Sequence, residues 1–312
     1  MKKAVIIISS VLVISLLGNV YLFYMNLRSG AFGAPLFSIH FSDANTRETY
    51  NTVHRLKEAH QLRTGKGIKV GILDWGFAYD DYPDLYAGGV DLMELSYHVS
   101  NYHHAAEHGL WMAETLREVA PDAQIYAIGT YDRDEKTRVG LLIKGIDWAI
   151  ENGINILTLS HRPIEEAFRP EFDKAVAKAV DKGIVTTFIH YDSPLNILPF
   201  PIDSCGEYNR QPDINILQHD FNTILLDNYR KYLEKKDYSY KDYVYYSISS
   251  TSPVTAGIVA LMMETDSSLT PAQYKQILID SSRPFTYEGK TSPHVADALS
   301  AIQMTADFGE RY

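Results

Sequence analysis

Short apolar runs alternate with longer amphipathic stretches along the chain after Tyr50. The short runs have the length and composition of strands that are buried on both faces of a sheet: GIKVGILD, QIYAIGTY, INILTLS and IVTTFIH. Between them, apolar residues recur at helical spacing in GLWMAETLREV, RVGLLIKGIDWAIENG and EFDKAVAKAVDKG. This alternation predicts βαβ crossovers, and therefore an α/β fold with a mostly parallel central sheet and helices on both faces.

Polar residues follow the predicted strands directly. Asp74 ends the first run, Ser160 ends the third, and the segment His190 to Asp192 lies at the end of the fourth. In open parallel sheets, binding and catalytic groups collect beyond the carboxyl ends of the strands. We therefore expect the chemistry of this protein at that edge of the sheet.

Two serine-containing stretches near the C-terminus compete for a role in that chemistry. The first is YSISSTSPVTAG, and the second is TSPHVADAL, which begins at Thr291. In the second stretch, Ser292 followed by Pro293 has the cap and first-turn pattern of a helix, as has the start of LTPAQYKQILIDS. We therefore predict that Ser292 caps the last helix. In the first stretch, Ser252 before Pro253 is predicted to belong to a helix start.

The overall charge restricts the kinds of partner. The chain carries 29 Lys+Arg against 39 Asp+Glu, a formal net charge of -10. Such a balance disfavours non-specific attraction to nucleic acid and to anionic lipid headgroups. Cys205 is the single cysteine, which excludes an intramolecular disulfide and a cysteine-rich metal site. We expect no nucleic-acid partner.

The N-terminus carries a targeting pattern. Two lysines precede Ala4 to Tyr24, which contains no charge and is long enough to cross a bilayer as a helix. Because positive residues stay on the cytosolic side, we expect residues 1–30 to form a signal anchor that leaves the rest of the chain extracytoplasmic. The alternative is cleavage near AFGA, which would release a secreted protein. Residues 31–50 are predicted to be a spacer, and residues 51–312 a folded domain.

Three segments carry a more specific pattern. They are GKGIKVGILDWGFAYDDYPDL, EHGLWMAETLREVAPDAQIYAI and SISSTSPVTAGIVALMM. In this order they resemble the aspartate, histidine and serine segments of the subtilisin-like serine proteases (peptidase family S8). The resemblance covers residues 52–305 and implies a subtilisin-like three-layer sandwich, so that residues 51–312 would be a divergent peptidase domain.

The resemblance also implies a catalytic triad. Alignment of the SP and AG pairs in the serine segment places the nucleophile at Ser249, whereas the same alignment of TSPHVADAL reaches Gly289, which has no side chain. A serine hydroxyl needs a neutral imidazole to take its proton, and that imidazole needs a buried carboxylate to hold it. His108 and Asp74 match these two roles. The implied activity is that of a serine endopeptidase acting on polypeptides.

Some positions depart from the family pattern. Asp192 stands where the family has an asparagine that donates to the oxyanion. An ionised Asp192 would repel the oxyanion and a protonated one could donate to it, so we expect a mildly acidic pH optimum. Ser160, His161 and Arg162 stand in the substrate-binding segment and are expected to contact substrate.

Metal and cofactor requirements are expected to be absent. The family's calcium-binding loop is missing, because ETLREVAP passes directly from the predicted helix to the next turn. Two alternatives stay open. The altered oxyanion and substrate positions favour a pseudoprotease that binds a peptide or partner without cleaving it. The segment HAAEH, His104 to His108, has the H-x-x-E-H pattern of certain zinc proteases.

Overall fold

This computed structural model of the protein describes residues 39–40, 53–93, 102–104, 107–199, 222–223, 248–287 and 290–309. The predicted anchor helix and Cys205 lie outside these residues. Within the described ranges, no helix combines the length and the apolar character needed to cross a membrane.

The described elements alternate between strands and helices. The strands are β1 Ile39–His40, β2 Lys69–Asp74, β3 Gly88–Asp91, β4 Gln124–Gly129, β5 Ile156–Leu159, β6 Val185–Phe188, β7 Asn222–Thr223, β8 Arg283–Tyr287 and β9 Lys290–Val295. The helices are α1 Leu56–Ala59, α2 His108–Val119, α3 Glu135–Glu151, α4 Arg169–Asp181, α5 Thr251–Thr265, α6 Pro271–Asp280 and α7 Ala298–Gly309. A 3-10 turn, Ile248–Ser250, precedes α5.

The central sheet has five parallel strands in the order β3-β4-β2-β5-β6. Strand β2 lies in the middle, with Asp74 opposite Gly129 of β4 and Leu73 opposite Leu159 of β5. The carboxyl ends of the three strands therefore meet at one edge. All four residues of β5 and of β6 are buried, including the threonines, as expected for parallel strands that are covered on both faces.

Helices cover the sheet on both faces and form two apolar cores. Alternate residues of β2 point to opposite faces, so Ile72 joins one core and Leu73 the other. The first core contains residues of α2, α5, α6 and α7, and the second contains residues of α3 and α4. The predicted α/β fold, a three-layer sandwich with a mostly parallel sheet, is confirmed.

Helix α5 runs through the first core and contacts α2 closely. A Cβ atom at Gly257 would lie 2.6 Å from Cγ1 of Val119, so only a glycine allows the two helices to approach this far. The whole of α5 from Thr251 to Met263 is buried. Because α2 begins at His108 and α5 follows Ser249, this packing fixes the two segments relative to each other.

Two of the predicted proline-containing helix starts lie after α5, and the one in LTPAQYKQILIDS is confirmed whereas the one at Ser292 is wrong. At α6, the Thr270 side chain accepts from the Gln273 amide and the Gln273 side chain accepts from the Thr270 amide, which is a capping box. The segment containing Ser292 and Pro293 is instead part of strand β9, which pairs antiparallel with β8. Ser292 therefore does not cap the last helix.

Asp297 begins the last helix instead. Its buried carboxylate accepts from the amide of Ser300 at 2.9 Å and from Arg283 Nε at 3.0 Å. A second arginine, Arg55, donates to the same carboxylate at 3.2 Å. The strand pairing and this buried cap together outweigh the local serine-proline pattern.

Candidate active site

Asp74 and His108 come together at the carboxyl edge of the sheet. Asp74 is the last residue of β2 and His108 the first residue of α2. His108 Nδ1 lies 2.9 Å from Oδ1 and 2.8 Å from Oδ2 of Asp74. The carboxylate is fully buried and the imidazole is 7% exposed. An ionised carboxylate only accepts, so Nδ1 carries the proton of a neutral ring and Nε2 is left as its basic nitrogen.

The loop after β2 interlocks with the first turn of α2. Gly76 accepts from the amides of Glu107 and Leu110, and Trp75 accepts from the amide of Gly109 at 2.6 Å. Gly76 has φ 67°, and a Cβ there would collide with Glu107. A Cβ at Gly109 would lie 2.6 Å from the Trp75 carbonyl oxygen. Gly76 in the aspartate segment and Gly109 in the histidine segment thus allow the two backbones to approach closely. This approach positions His108 against Asp74.

The electrostatics of Asp74 keep it ionised. Burial alone would raise its pKa, but the charge of His108 and the hydrogen bond from it, with smaller contributions from His161, lower the pKa of Asp74 to about 2. The Trp75 amide donates a further hydrogen bond to Oδ1 at 2.9 Å. A fixed negative charge beside the imidazole favours the protonated ring that forms when His108 accepts a proton.

Trp75 covers His108. The two rings are stacked with centroids 4.7 Å apart and an interplanar angle of 6°. The indole Nε1 donates to Oε2 of Glu107 at 2.9 Å, and Tyr131 packs against the indole at 4.3 Å. Burial raises the pKa of Glu107, and the hydrogen bond from Trp75 opposes that rise. This aromatic cover was not expected from the sequence.

Ser249 lies in the 3-10 turn that leads into α5 and is half-buried. Its carbonyl oxygen accepts from the Ser160 hydroxyl at 2.7 Å. In the next turn, Ser252 donates to the carbonyl of Leu159 at 3.2 Å, and Thr187 donates to the carbonyl of Ser252 at 3.2 Å. The start of α5 is therefore attached to the carboxyl ends of β5 and β6. The prediction that Ser252 belongs to the helix start is confirmed.

Asp192 lies in the loop after β6 with its side chain exposed. Its carbonyl oxygen accepts from Arg169 Nη2 at 2.7 Å. The fully buried amide in this loop is Asn196, which donates to the carbonyls of Phe188 and Tyr191 and accepts from the Phe188 amide. Asn196 fixes the loop that carries Asp192. Sequence reasoning missed it because nothing in DSPLNILP distinguishes a buried amide from a solvated one.

The predicted substrate-binding segment after β5 is held from behind by α3. Arg138 is fully buried, bonds to Glu135, and donates to the carbonyls of Arg162 at 3.3 Å and Pro163 at 3.0 Å. Arg162 also pairs with Glu135 at 2.9 Å, and its side chain is 50% exposed. The ring of His161 is buried and points toward Asp74. An arginine on the apolar face of α3 was the available signal for this arrangement.

The members of the HAAEH pattern have separate partners. His104 Nδ1 lies 3.3 Å from Oδ1 of Asp81, Glu107 bonds to Trp75, and His108 bonds to Asp74. In the described residues, no group of three or more histidine, cysteine or acidic side chains is arranged to hold a metal ion.

Sequence comparison finds known proteases. The chain is 27% identical over 249 residues to the thermostable alkaline protease of Halalkalibacterium halodurans, covering 73% of this chain and 64% of that protein's length. It is 25% identical over 264 residues to subtilisin BL of Lederbergia lenta, covering 78% of this chain and 92% of subtilisin BL. A 131-residue match to the minor extracellular protease Epr of Bacillus subtilis is 29% identical and covers 39% of this chain and 19% of Epr. No protein-family model matches.

Solved structures share the fold. The serine protease MycP1, an essential component of the type VII (ESX-1) secretion system, superposes with a TM-score of 0.56 at 18% identity over 85% of this chain and 91% of its own. A cold adapted subtilisin-like serine proteinase superposes with a TM-score of 0.55 at 16% identity over 76% of this chain and 90% of its own.

The parallel five-stranded sheet between two helical layers places the protein in the α/β class with a subtilisin-like fold. Together with the sequence matches at 25%, 27% and 29% identity, this fold supports a divergent subtilisin-like serine protease of peptidase family S8.

Proposed function

We propose that the protein is a serine endopeptidase that hydrolyses peptide bonds through Asp74, His108 and Ser249. The observation that carries this proposal is the two-oxygen contact of the buried Asp74 carboxylate with Nδ1 of His108. Structural ion pairs of this kind also occur in proteins without catalytic activity. The position of this pair at the carboxyl edge of a parallel sheet, in a member of a protease family, favours the catalytic role.

The proposed reaction follows from the roles of the three side chains. The Ser249 hydroxyl attacks the carbonyl carbon of the scissile bond while Nε2 of His108 takes its proton. Asp74 holds the ring in the tautomer with Nδ1 protonated and stabilises the imidazolium. His108 then gives the proton to the leaving amine, and water hydrolyses the acyl-enzyme in a second cycle.

Oxyanion stabilisation is assigned to two sources. Backbone amides at the start of α5 lie at the positive end of a helix dipole, next to the proposed nucleophile. Asp192 is assigned to the oxyanion position, where a carboxyl group donates only when it is protonated and repels the oxyanion when it is ionised. A rate of peptide hydrolysis that stays constant up to pH 9 would contradict this part of the proposal.

Substrate binding is assigned to the segment from Ser160 to Arg162. An extended peptide would lie along this segment, which continues β5 beyond the edge of the sheet. Because Arg162 is half-exposed and cationic, the proposal favours substrates with an acidic residue near the scissile bond. The Arg138 and Glu135 contacts keep the segment in place before substrate arrives.

The proposed location is extracytoplasmic. The charge-free stretch Ala4 to Tyr24 is assigned as a single membrane anchor, with cleavage near AFGA as the route to a secreted form. One curated relative is named as an extracellular protease, which supports this placement.

The proposal is tested by incubating the full-length protein with a library of peptides and identifying the cleaved bonds by mass spectrometry. The matched control is the Ser249→Ala variant prepared in the same way. Cleavage by the wild-type protein alone supports the proposal, and cleavage by both proteins would assign the activity to a contaminant.

A pseudoprotease is the second candidate function. The stacked Trp75 leaves His108 only 7% exposed, and the position that we assign to the oxyanion donor carries the acidic Asp192. Under this alternative, the segment from Ser160 to Arg162 binds a peptide that is released intact. Retention of library peptides without cleavage would favour it.

A further inference from the structure

Asp74 has a second imidazole beside it. His161 follows β5 by two positions, and β5 pairs with β2 so that Leu159 lies opposite Leu73. The register brings the residues after Leu159 next to the end of β2. Nε2 of His161 lies 3.5 Å from Oδ1 of Asp74, and the His161 side chain is only 1% exposed.

The two ring nitrogens of His161 are buried without a hydrogen bond of good geometry. Within the described part of the chain, neither Nδ1 nor Nε2 has such a partner. A buried polar group without a full hydrogen bond is costly, so its retention in a core needs an explanation. The polar atom that it faces is Oδ1 of Asp74, which also contacts His108.

The surroundings of His161 keep the ring in this position. Trp75 packs against it with centroids 5.1 Å apart, and Tyr131 meets it edge-on at 5.6 Å. The next two residues are held by Arg138 through their carbonyl oxygens. His161 is therefore held between an aromatic wall and a fixed loop, with Nε2 directed to the carboxylate.

The neighbouring charges determine which form of the ring is present. Burial lowers the pKa of His161, the contact with Asp74 opposes this, and Arg138 and His108 lower it further. Glu107 is a further charged group near the pair, because its own pKa responds to the charges of both His108 and Asp74. His161 is therefore neutral at neutral pH and has one N–H to donate.

We propose that His161 is a positioning residue that directs its Nε2–H at Oδ1 of Asp74 and thereby sets the proton affinity of His108. The 3.5 Å separation is long for a hydrogen bond, and such contacts at catalytic groups shorten when the reacting complex forms. A donor on Asp74 draws negative charge away from His108. Loss of this donor should therefore favour the protonated form of the His108 ring.

This assignment gives His161 a role different from substrate contact. The side chain is buried beneath the site, whereas Arg162 beside it is half-exposed. The coupling between His161 and His108 runs through Oδ1 of Asp74, which both rings face, and its catalytic consequence rests on the proposed function.

The test measures the protonation of His108 directly. The full-length chain with ¹⁵N-labelled histidine is titrated in mild detergent, and the His108 ring is followed by NMR in the wild type, His161→Phe and His161→Gln. Phenylalanine removes the donor, whereas the glutamine amide can replace Nε2–H. His54→Gln is the matched control, because His54 is a buried histidine whose Nδ1 contacts the Ala296 carbonyl at 2.8 Å.

In His161→Phe, we expect the titration midpoint of the His108 ring to rise by at least about 0.5 pH unit. In His161→Gln and His54→Gln, we expect the midpoint of the wild type. Equal midpoints in the wild type and His161→Phe would overturn the inference, as would equal shifts with phenylalanine and glutamine. If His161→Phe does not fold, His161→Leu is titrated under the same criteria.

Labelling by a fluorophosphonate between pH 5 and pH 9 separates this inference from the proposed function. Where the protein is labelled, the acid limb of the labelling rate should move upward in His161→Phe together with the NMR midpoint. Absence of labelling with a shifted NMR midpoint supports the coupling and contradicts the protease assignment. A shifted acid limb without a shifted His108 midpoint overturns the coupling.

Discussion

The imidazole of His108 lies parallel to the indole of Trp75, with the ring centroids 4.7 Å apart and the planes inclined by 6°. The indole is itself fixed by its hydrogen bond to Glu107, the residue before His108 in the chain. An aromatic face attracts a cation, so this stack stabilises the imidazolium as well as shielding the ring from water. Trp75, the residue after the aspartate, therefore acts on the base together with Asp74.

Removal of this cover should expose His108. In Trp75→Ala, we expect diethyl pyrocarbonate to modify His108 several-fold faster than in the wild type, while Trp75→Phe stays close to the wild-type rate because a ring remains. The measurement is peptide mapping by mass spectrometry over a time course. Equal rates in all three proteins would show that the indole does not limit access to the imidazole.

Asp74→Asn should abolish most of the activity without unfolding the protein. An asparagine can present its N–H₂ to His108, which favours the wrong ring tautomer, and the expected loss in kcat is about 10⁴-fold. The activity is measured on a peptide that the wild type cleaves. A thermal melt near that of the wild type shows that the loss is chemical, and a reduction of less than about 10-fold would contradict the assigned role of Asp74.

Substitution by alanine should change the free energy of unfolding in opposite directions at Gly76 and at Gly140. Gly76→Ala introduces a Cβ at φ 67° that collides with Glu107, so the free energy of unfolding should fall by at least about 2 kcal/mol. Gly140 lies inside helix α3 with open space around its Cα, so Gly140→Ala should raise the free energy of unfolding by about 0.5–1 kcal/mol. Urea titrations of the two variants measure both changes. Equal destabilisation would refute the proposed close approach at Gly76.

The stability of the protein should decrease in mild acid because of His190. Burial lowers the pKa of His190 from 6.5 to about 4, so the unfolded chain binds a proton that the folded chain does not between these values. The contribution of neutral His190 to the free energy of unfolding is fully present above pH 6.5. This contribution decreases as the pH falls toward 4, by at most about 3 kcal/mol, which corresponds to the full difference between the unfolded and folded pKa values.

The measurement is the urea midpoint at several pH values between 4 and 7. His190→Gln should show a shallower decline than the wild type, and His294→Gln should follow the wild type because His294 is exposed. A decline of the same slope in His190→Gln would remove His190 as its cause. His161, whose pKa burial also lowers, contributes in the same direction.

The sequence predicted the elements whose pattern is local. The four parallel strands of the apolar runs, the helices between them and the capping box at Thr270 all follow from periodicity and side-chain chemistry within a few residues. The paired positions of Asp74 and His108 followed from the family resemblance, because no local pattern brings β2 and α2 together.

The features that were missed depend on contacts between distant segments. The Ser292 prediction was wrong because pairing of β9 with β8 overrides a local helix-start pattern. Arg138 bonds to carbonyls that lie in the loop after the next strand, and the stack of Trp75 on His108 joins two separate segments. Such contacts depend on the three-dimensional arrangement of the sheet, which single-sequence patterns do not encode.

The central claim is that Ser249 is a nucleophile activated by His108. The most direct measurement is covalent labelling of the purified full-length protein with a fluorophosphonate, followed by mass spectrometric identification of the modified residue, in the wild type, Ser249→Ala and Ser160→Ala. We predict labelling at Ser249 in the wild type and in Ser160→Ala, and none in Ser249→Ala. Labelling of neither the wild type nor the variants, or equal labelling of the wild type and Ser249→Ala, would contradict the claim.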